Sequence, residues 1–207
     1  MSGKFAALAG LALITAGCAP ATEPVASAAE TERTSVVASP ELATSFRQSA
    51  FLEKCEDFDE WDKPAPPFEL LGDTWYVGTC GISAILVLGE DGHVLIDSGV
   101  EAAAPLVLDN IRALGIDPRD IRYLLMSHEH FDHVGAHAAL AEATGAQVIT
   151  SPEAAKVLAS GKVSADDPQA DIHPAMKPVK VDRIVSDGEV LNLGGMEFTA
   201  HLTPGHT

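Results

Sequence analysis

Seven consecutive residues constrain this chain more than any others: Ser127-His128-Glu129-His130-Phe131-Asp132-His133, with three histidines and an aspartate inside six positions. Neutral imidazole and carboxylate are zinc-binding side chains. On an ordinary helix or strand these four would not all converge on one point. A tight loop at a strand end can aim His128 and His130 one way and Asp132 with His133 another, and so feed two neighbouring metals. Histidines at this density and spacing read as a metal site rather than a chance group of solvated polar side chains.

The pattern around the loop says what presents it. Residues 74–77 are rich in β-formers, 82–88 form a nearly continuous apolar run, and 93–96 return as a strand after the turn Glu90-Asp91-Gly92. Asp97-Ser98-Gly99 ends that strand. The spacing of Leu106, Ile111 and Leu114 predicts a helix over 101–114, with Pro105 in its first turn and Gly115 as its stop. A buried strand over 121–126 leads straight into the histidine loop, followed by a helix over 134–143 and a strand over 147–150. Ser151-Pro152-Glu153 opens a short helix to about Ala159. Residues 161–180 have no clear period and carry prolines, which predicts a long loop of the kind that is often functional. Strands are expected over 181–185, 190–193 and 196–202. The fold class is therefore α/β, a mixed sheet with helices packed outside, and the histidine loop lies at the carboxyl end of a strand, where open α/β sheets put their sites.

A second stretch belongs to the same site. Thr203-Pro204-Gly205-His206-Thr207 favours a turn after the last strand and leaves His206 on a loop. His206 can bring a third imidazole to the metal held by His128 and His130, and three protein nitrogens plus an open position suit a hydrolytic zinc. Ser127 and Asp97 are candidates for the hydrogen bonds that orient ligands, with buried structural roles as the alternative. His93, His137, His173 and His201 are given structural or surface roles, and Phe131 a packing role.

A formal net charge of −17 argues against a nucleic-acid partner. Lys4, the apolar run 5–14 and the small residues before Cys18 read as a bacterial secretory signal over 1–18, which places the protein in the periplasm. Gly17-Cys18 also resembles a lipobox, which would make Cys18 a lipidated N-terminus and the chain a membrane-anchored lipoprotein. Thr15 stands where that pattern usually has Leu, so ordinary cleavage is the alternative. Residues 19–67 read as a flexible tether, rich in Ala, Ser, Thr, Glu and Pro as far as Thr44, followed by an irregular segment. Cys55 and Cys80 remain as an even pair in an exported protein, so a disulfide is expected, with two free buried thiols as the alternative. Closing a loop of that size contributes on the order of 3 kcal/mol in the chain-entropy model.

The two histidine stretches, with Asp97-Ser98-Gly99 ending an apolar strand, resemble the metallo-β-lactamase superfamily from about Trp75 onward. His133 directly after Asp132, together with the segments 73–84 and 127–135, is most similar to its subclass B3. The resemblance implies an αββα sandwich, of which this chain holds the first half and the start of the second. The domain over 68–207 would then be incomplete at its C-terminus. It implies two Zn2+ ions, the first on His128, His130 and His206 and the second on Asp132 and His133. A further histidine on the second zinc would lie well beyond His206, so the chain reads as a fragment of a longer enzyme, with little activity expected by itself. The activity implied for the complete form is hydrolysis of the β-lactam amide of antibiotics by a metal-bound hydroxide, with Asp132 orienting it. The alternatives are another hydrolase of the superfamily, a lactonase or a thioesterase, or an inactive zinc-binding fragment.

Overall fold

The computed structural model describes residues 47–57 and 59–207. The signal segment, the tether as far as Thr44 and Cys18 lie outside the described residues. Among these, the chain runs α1 (Gln48–Lys54), β1 (Phe68–Leu71), β2 (Thr74–Tyr76), β3 (Ile85–Val87), β4 (His93–Ile96), α2 (Ala104–Ala113), β5 (Ile121–Leu125), α3 (Phe131–Val134), α4 (His137–Thr144), β6 (Gln147–Thr150), α5 (Pro152–Ser160), β7 (Arg183–Ile184), β8 (Val190–Leu193) and β9 (Met196–Thr199). Strands β1 to β7 form one sheet in sequence order, and β8 with β9 form a separate pair. The first four strands pair antiparallel, as short connections allow. From β4 to β7 the pairing is parallel, because a helix is inserted between each strand and the next.

Successive residues of the central strands point to opposite faces, and both faces are covered. Leu95, Leu124 and Val148 face the helices, packing with Val107 and Ile111 of α2, Leu140 of α4 and Leu158 of α5. Their chain neighbours Val94 and Ile149 face the other way, against Leu191 and Leu193 of the β8–β9 hairpin. Burial on both sides is why apolar residues stand side by side in these strands, as at Val94-Leu95, Leu124-Leu125 and Val148-Ile149, rather than at alternate positions. The helix α2 is also tied by Asn110, whose amide donates to the carbonyls of Val77 and Gly78 at 3.0 Å each.

Several sequence expectations need correction. The irregular reading of 19–67 fails at Gln48–Lys54, which is helical, with Phe51 packed against Phe68 and Tyr76 at 5.2 Å between ring centroids. The sheet begins at Phe68, one strand earlier than periodicity suggested. The helix expected over 134–143 is two helices, broken at Gly135 and Ala136. A Cβ on Gly135 would lie 2.4 Å from the Phe131 carbonyl oxygen and 2.9 Å from the Glu101 amide nitrogen, so the chain bends there against the segment after β4. The strands expected over 181–185 and 196–202 shorten to Arg183–Ile184 and Met196–Thr199. Cys55 and Cys80 are joined as a disulfide, clipping the segment that carries Trp61 to the turn after β2.

Of the structural or surface roles expected for His137, the structure gives the structural one: the residue is part of this core. Its ring is fully buried, its Nε2 donates to the Leu125 carbonyl at 3.2 Å, and its Nδ1 lies 2.8 Å from the Ser98 hydroxyl. Burial pushes the ring down to about 4. The unfolded ring takes a proton near pH 6.5 and the folded one only near 4, so stability falls as pH falls through that window. The loss attributable to His137 is on the order of 3 kcal/mol. Urea unfolding at pH 7 and pH 4 should therefore show a gap between wild type and His137→Gln that shrinks on acidification. A gap independent of pH would show that the ring does not enter the fold neutral.

Candidate metal centre

The site is assembled at the carboxyl ends of β4 and β5. Asp97, directly after β4, is the one non-glycine residue with positive φ (62°) among the described residues. Such backbone costs on the order of 1 kcal/mol and persists where surrounding contacts over-determine it. Here they do. The Asp97 amide donates to Leu125 at 3.0 Å, and its carboxylate accepts from the Ser127 amide and hydroxyl at 2.7 Å each and from His133 Nδ1 at 2.9 Å. Burial pushes the Asp97 carboxyl up, but the bonds from His133 and Ser127 outweigh it and hold the group below the usual carboxylate value. The Ser98 amide donates to the His133 carbonyl at 2.8 Å, so two consecutive residues after β4 grip the metal loop.

After Ser127 the loop delivers His128 and His130, and α3 starts at Phe131 with Asp132 and His133 in its single turn. His128, His130 and His206 each present a ring nitrogen, and these nitrogens lie within 4.8 Å of one another. A tetrahedral zinc with ~2.0 Å bonds holds its nitrogens ~3.3 Å apart, so the three need close by no more than ~1.5 Å. Burial, followed by the neighbouring imidazoles of His133, His130 and His206, pushes His128 down to about 4, which leaves its lone pair free at neutral pH. Beside this trio, His133 Nε2 lies 3.5 Å from an Asp132 oxygen, its other nitrogen being held by Asp97. Burial lowers the His133 ring, but the bond to Asp97 and the charges of Asp97 and Asp132 raise it overall. Three imidazoles in one group and an imidazole with a carboxylate in the next form a donor set that fits a divalent metal of the zinc kind. Every sequence-predicted ligand is therefore brought to one place, with Ser127 and Asp97 beside His133.

Two residues of the long loop join them, and the sequence reading missed both. Asp167 places Oδ2 2.9 Å from His130 Nε2, and His173, which had been given a structural or surface role, stacks on His130 with ring centroids 4.0 Å apart. Both His173 ring nitrogens are buried and without a hydrogen-bond partner among the described residues. Phe131 packs between His173 and Trp61, at 5.3 Å and 5.5 Å between centroids. The sole sequence signal for these residues was the length of a loop without periodicity.

Residues 77–207 match the family model described as the metallo-β-lactamase superfamily. The chain belongs to that superfamily. Among solved structures, the MIM-2 metallo-β-lactamase is 49% identical with a TM-score of 0.74, covering 77% of this chain and 60% of its own. MIM-1 from Novosphingobium pentaromativorans is 51% identical with the same TM-score, covering 77% and 59%. MEM-A1, a subclass B3 metallo-β-lactamase from a soil metagenome library, is 46% identical with a TM-score of 0.69, covering 72% and 56%. A probable metallo-hydrolase of Burkholderia pseudomallei is 31% identical over 141 residues, which are 62% of this chain and 46% of the relative. The N-acyl homoserine lactonase AttM of Rhizobium johnstonii is 33% identical over 81 residues, 28% of this chain and 31% of that protein. The chain thus spans about half to three fifths of the lengths of MIM-2, MIM-1, MEM-A1 and the Burkholderia relative. The metallo-β-lactamase fold implies a divalent metal, usually zinc, and the donor set described above suits one.

Replacing Asp97 by Ala removes the acceptor shared by Ser127 and His133 and leaves a β-carbon at positive φ. The expected cost is about 1–3 kcal/mol in chemical unfolding, with a 10–100-fold loss of zinc affinity. Asp97→Asn, which tolerates the left-handed backbone and keeps an acceptor, should lose less of both. An Asp97→Ala protein with wild-type midpoint and wild-type zinc affinity would show that the carboxylate organises nothing.

Proposed function

We propose that the protein carrying this chain is a subclass B3 metallo-β-lactamase that hydrolyses the amide of β-lactam antibiotics. The observation that carries the reading is the convergence of His128, His130 and His206, with Asp132 and His133 beside them, on a fold whose solved neighbours at 46–51% identity are β-lactamases. In it, His128, His130 and His206 hold one Zn2+ and Asp132 with His133 contribute to a second. A metal held there would polarise the lactam carbonyl and bring the pKa of water to about 7. Asp132, largely buried and 3.5 Å from His133 Nε2, is the carboxylate that would orient the attacking hydroxide. Asp97 keeps His133 Nδ1 occupied, so Nε2 is the nitrogen turned toward Asp132. No side chain need form a covalent bond to substrate. The leader over 1–18 supports export to the periplasm, by cleavage or by lipidation at Cys18.

A lactonase is the second reading, favoured by the similarity to AttM. A lactone and a lactam present the same cyclic acyl carbon to the site, so the metal-binding residues alone serve both. The test is hydrolysis of a chromogenic cephalosporin and a carbapenem by the protein carrying this chain, beside an acyl homoserine lactone. Turnover of the β-lactams, abolished by a chelator and restored by zinc, is expected. His128→Ala should lower it on the order of 100-fold or more, beyond what outer partners of metal ligands typically cost. Turnover of the lactone alone would overturn the β-lactamase reading.

A further inference from the structure

Residues 161–180 are held as a closed structure rather than a loose excursion. At its base the Met176 amide donates to the Gly161 carbonyl at 2.7 Å, and the Val179 amide to the Leu158 carbonyl at 3.0 Å. Gly161 has φ +70°, and a Cβ there would meet the Met176 carbonyl oxygen at 2.2 Å, so the two arms of the loop are in direct backbone contact. Near its tip, Asp167 is set by its own loop. Its amide donates to the Ser164 carbonyl at 3.1 Å, its carbonyl accepts from the Ala170 amide at 3.1 Å, and Oδ1 accepts from the Gln169 amide at 2.6 Å. With Oδ1 so anchored, Oδ2 is left for one partner, His130 Nε2 at 2.9 Å.

That pair is secluded from solvent, with the His130 side chain 2% and the Asp167 side chain 4% exposed. A carboxylate in such a place accepts and does not donate, so His130 Nε2 carries the hydrogen. The tautomer that this bond selects has its lone pair on Nδ1, the nitrogen left for the group with His128 and His206. On its face, the same ring is covered by His173 of the same loop at 4.0 Å, which limits its tilt. The loop thus constrains one metal-site histidine twice, in the plane of the ring and across it.

We propose that Asp167 is a positioning residue for the metal centre, fixing His130 as the Nε2–H tautomer so that Nδ1 is presented to the ion. The role rests on the metal reading of His128, His130 and His206 given above. It also makes the long loop part of the metal site: residues 37 apart in sequence share one buried hydrogen bond. A carboxylate behind a metal-ligating imidazole fixes ring orientation and raises ligand basicity, and its loss typically costs 10–100-fold in affinity.

The test has two arms on the 207-residue protein. In the metal-free protein, nitrogen-15 NMR of labelled histidine should find His130 protonated at Nε2 and bare at Nδ1; the opposite tautomer overturns the proposal. Zinc affinity, read by competition with a chromogenic chelator, should fall 10–100-fold in Asp167→Ala. It should fall less in Asp167→Asn, whose side-chain oxygen still accepts from Nε2–H. Wild-type affinity in Asp167→Ala overturns the role of Asp167 while leaving the metal reading intact. Failure of the wild-type protein to bind zinc at all would instead overturn the metal reading on which the role depends. Should Asp167→Ala fail to fold, the wild-type tautomer and the comparison of wild type with Asp167→Asn decide: an unchanged tautomer with reduced zinc affinity in Asp167→Asn supports the role, and a bare Nε2 in the wild type ends it.

Discussion

The metal centre depends on one carboxylate. Asp97 sits at the end of β4 in a backbone conformation unfavourable to a β-carbon, and three hydrogen bonds from Ser127 and His133 hold it there. Those bonds join the ends of two adjacent parallel strands, β4 and β5, which the sheet has already brought side by side. The strain at Asp97 and the order of the histidine loop are therefore two views of one arrangement. Neither segment would hold its shape without the other.

The sheet supplies the rigid frame for this. Its central strands are buried on both faces, by the helices α2, α4 and α5 on one side and the β8–β9 hairpin on the other. That hairpin does more than cover apolar surface. It leads to His206, which lies beyond the end of β9 and joins the histidines that follow β5. Core packing on the hairpin face and completion of the three-histidine group are thus linked through the same short segment.

Much of this was legible in the residues. Donor identity and spacing at 128–133 already named a metal site, because few roles other than metal ligation call for so many imidazoles in so short a run. Turn chemistry at Pro204-Gly205 placed His206 on a loop, and the nearly continuous apolar run 82–88 and the strand pattern of 121–126 placed strands there. The misreadings have physical causes as well. α1 is a seven-residue helix whose aromatic anchor, Phe51, finds its partners Phe68 and Tyr76 only in the folded chain. The break at Gly135 follows from backbone crowding against Glu101, a neighbour that periodicity cannot reveal.

The sequence by itself determined the chemistry: which side chains can hold a metal, that they follow a buried strand, and which family the motif resembles. Tertiary structure decided how each imidazole is aimed. Asp97 reaches His133 across 36 positions and Asp167 reaches His130 across 37, one from a strand end and one from an aperiodic loop. Hydrogen bonds of that kind depend on where the fold brings distant segments together. Local residue pattern carries the identity of a ligand, but its orientation is set by neighbours that lie far away along the chain.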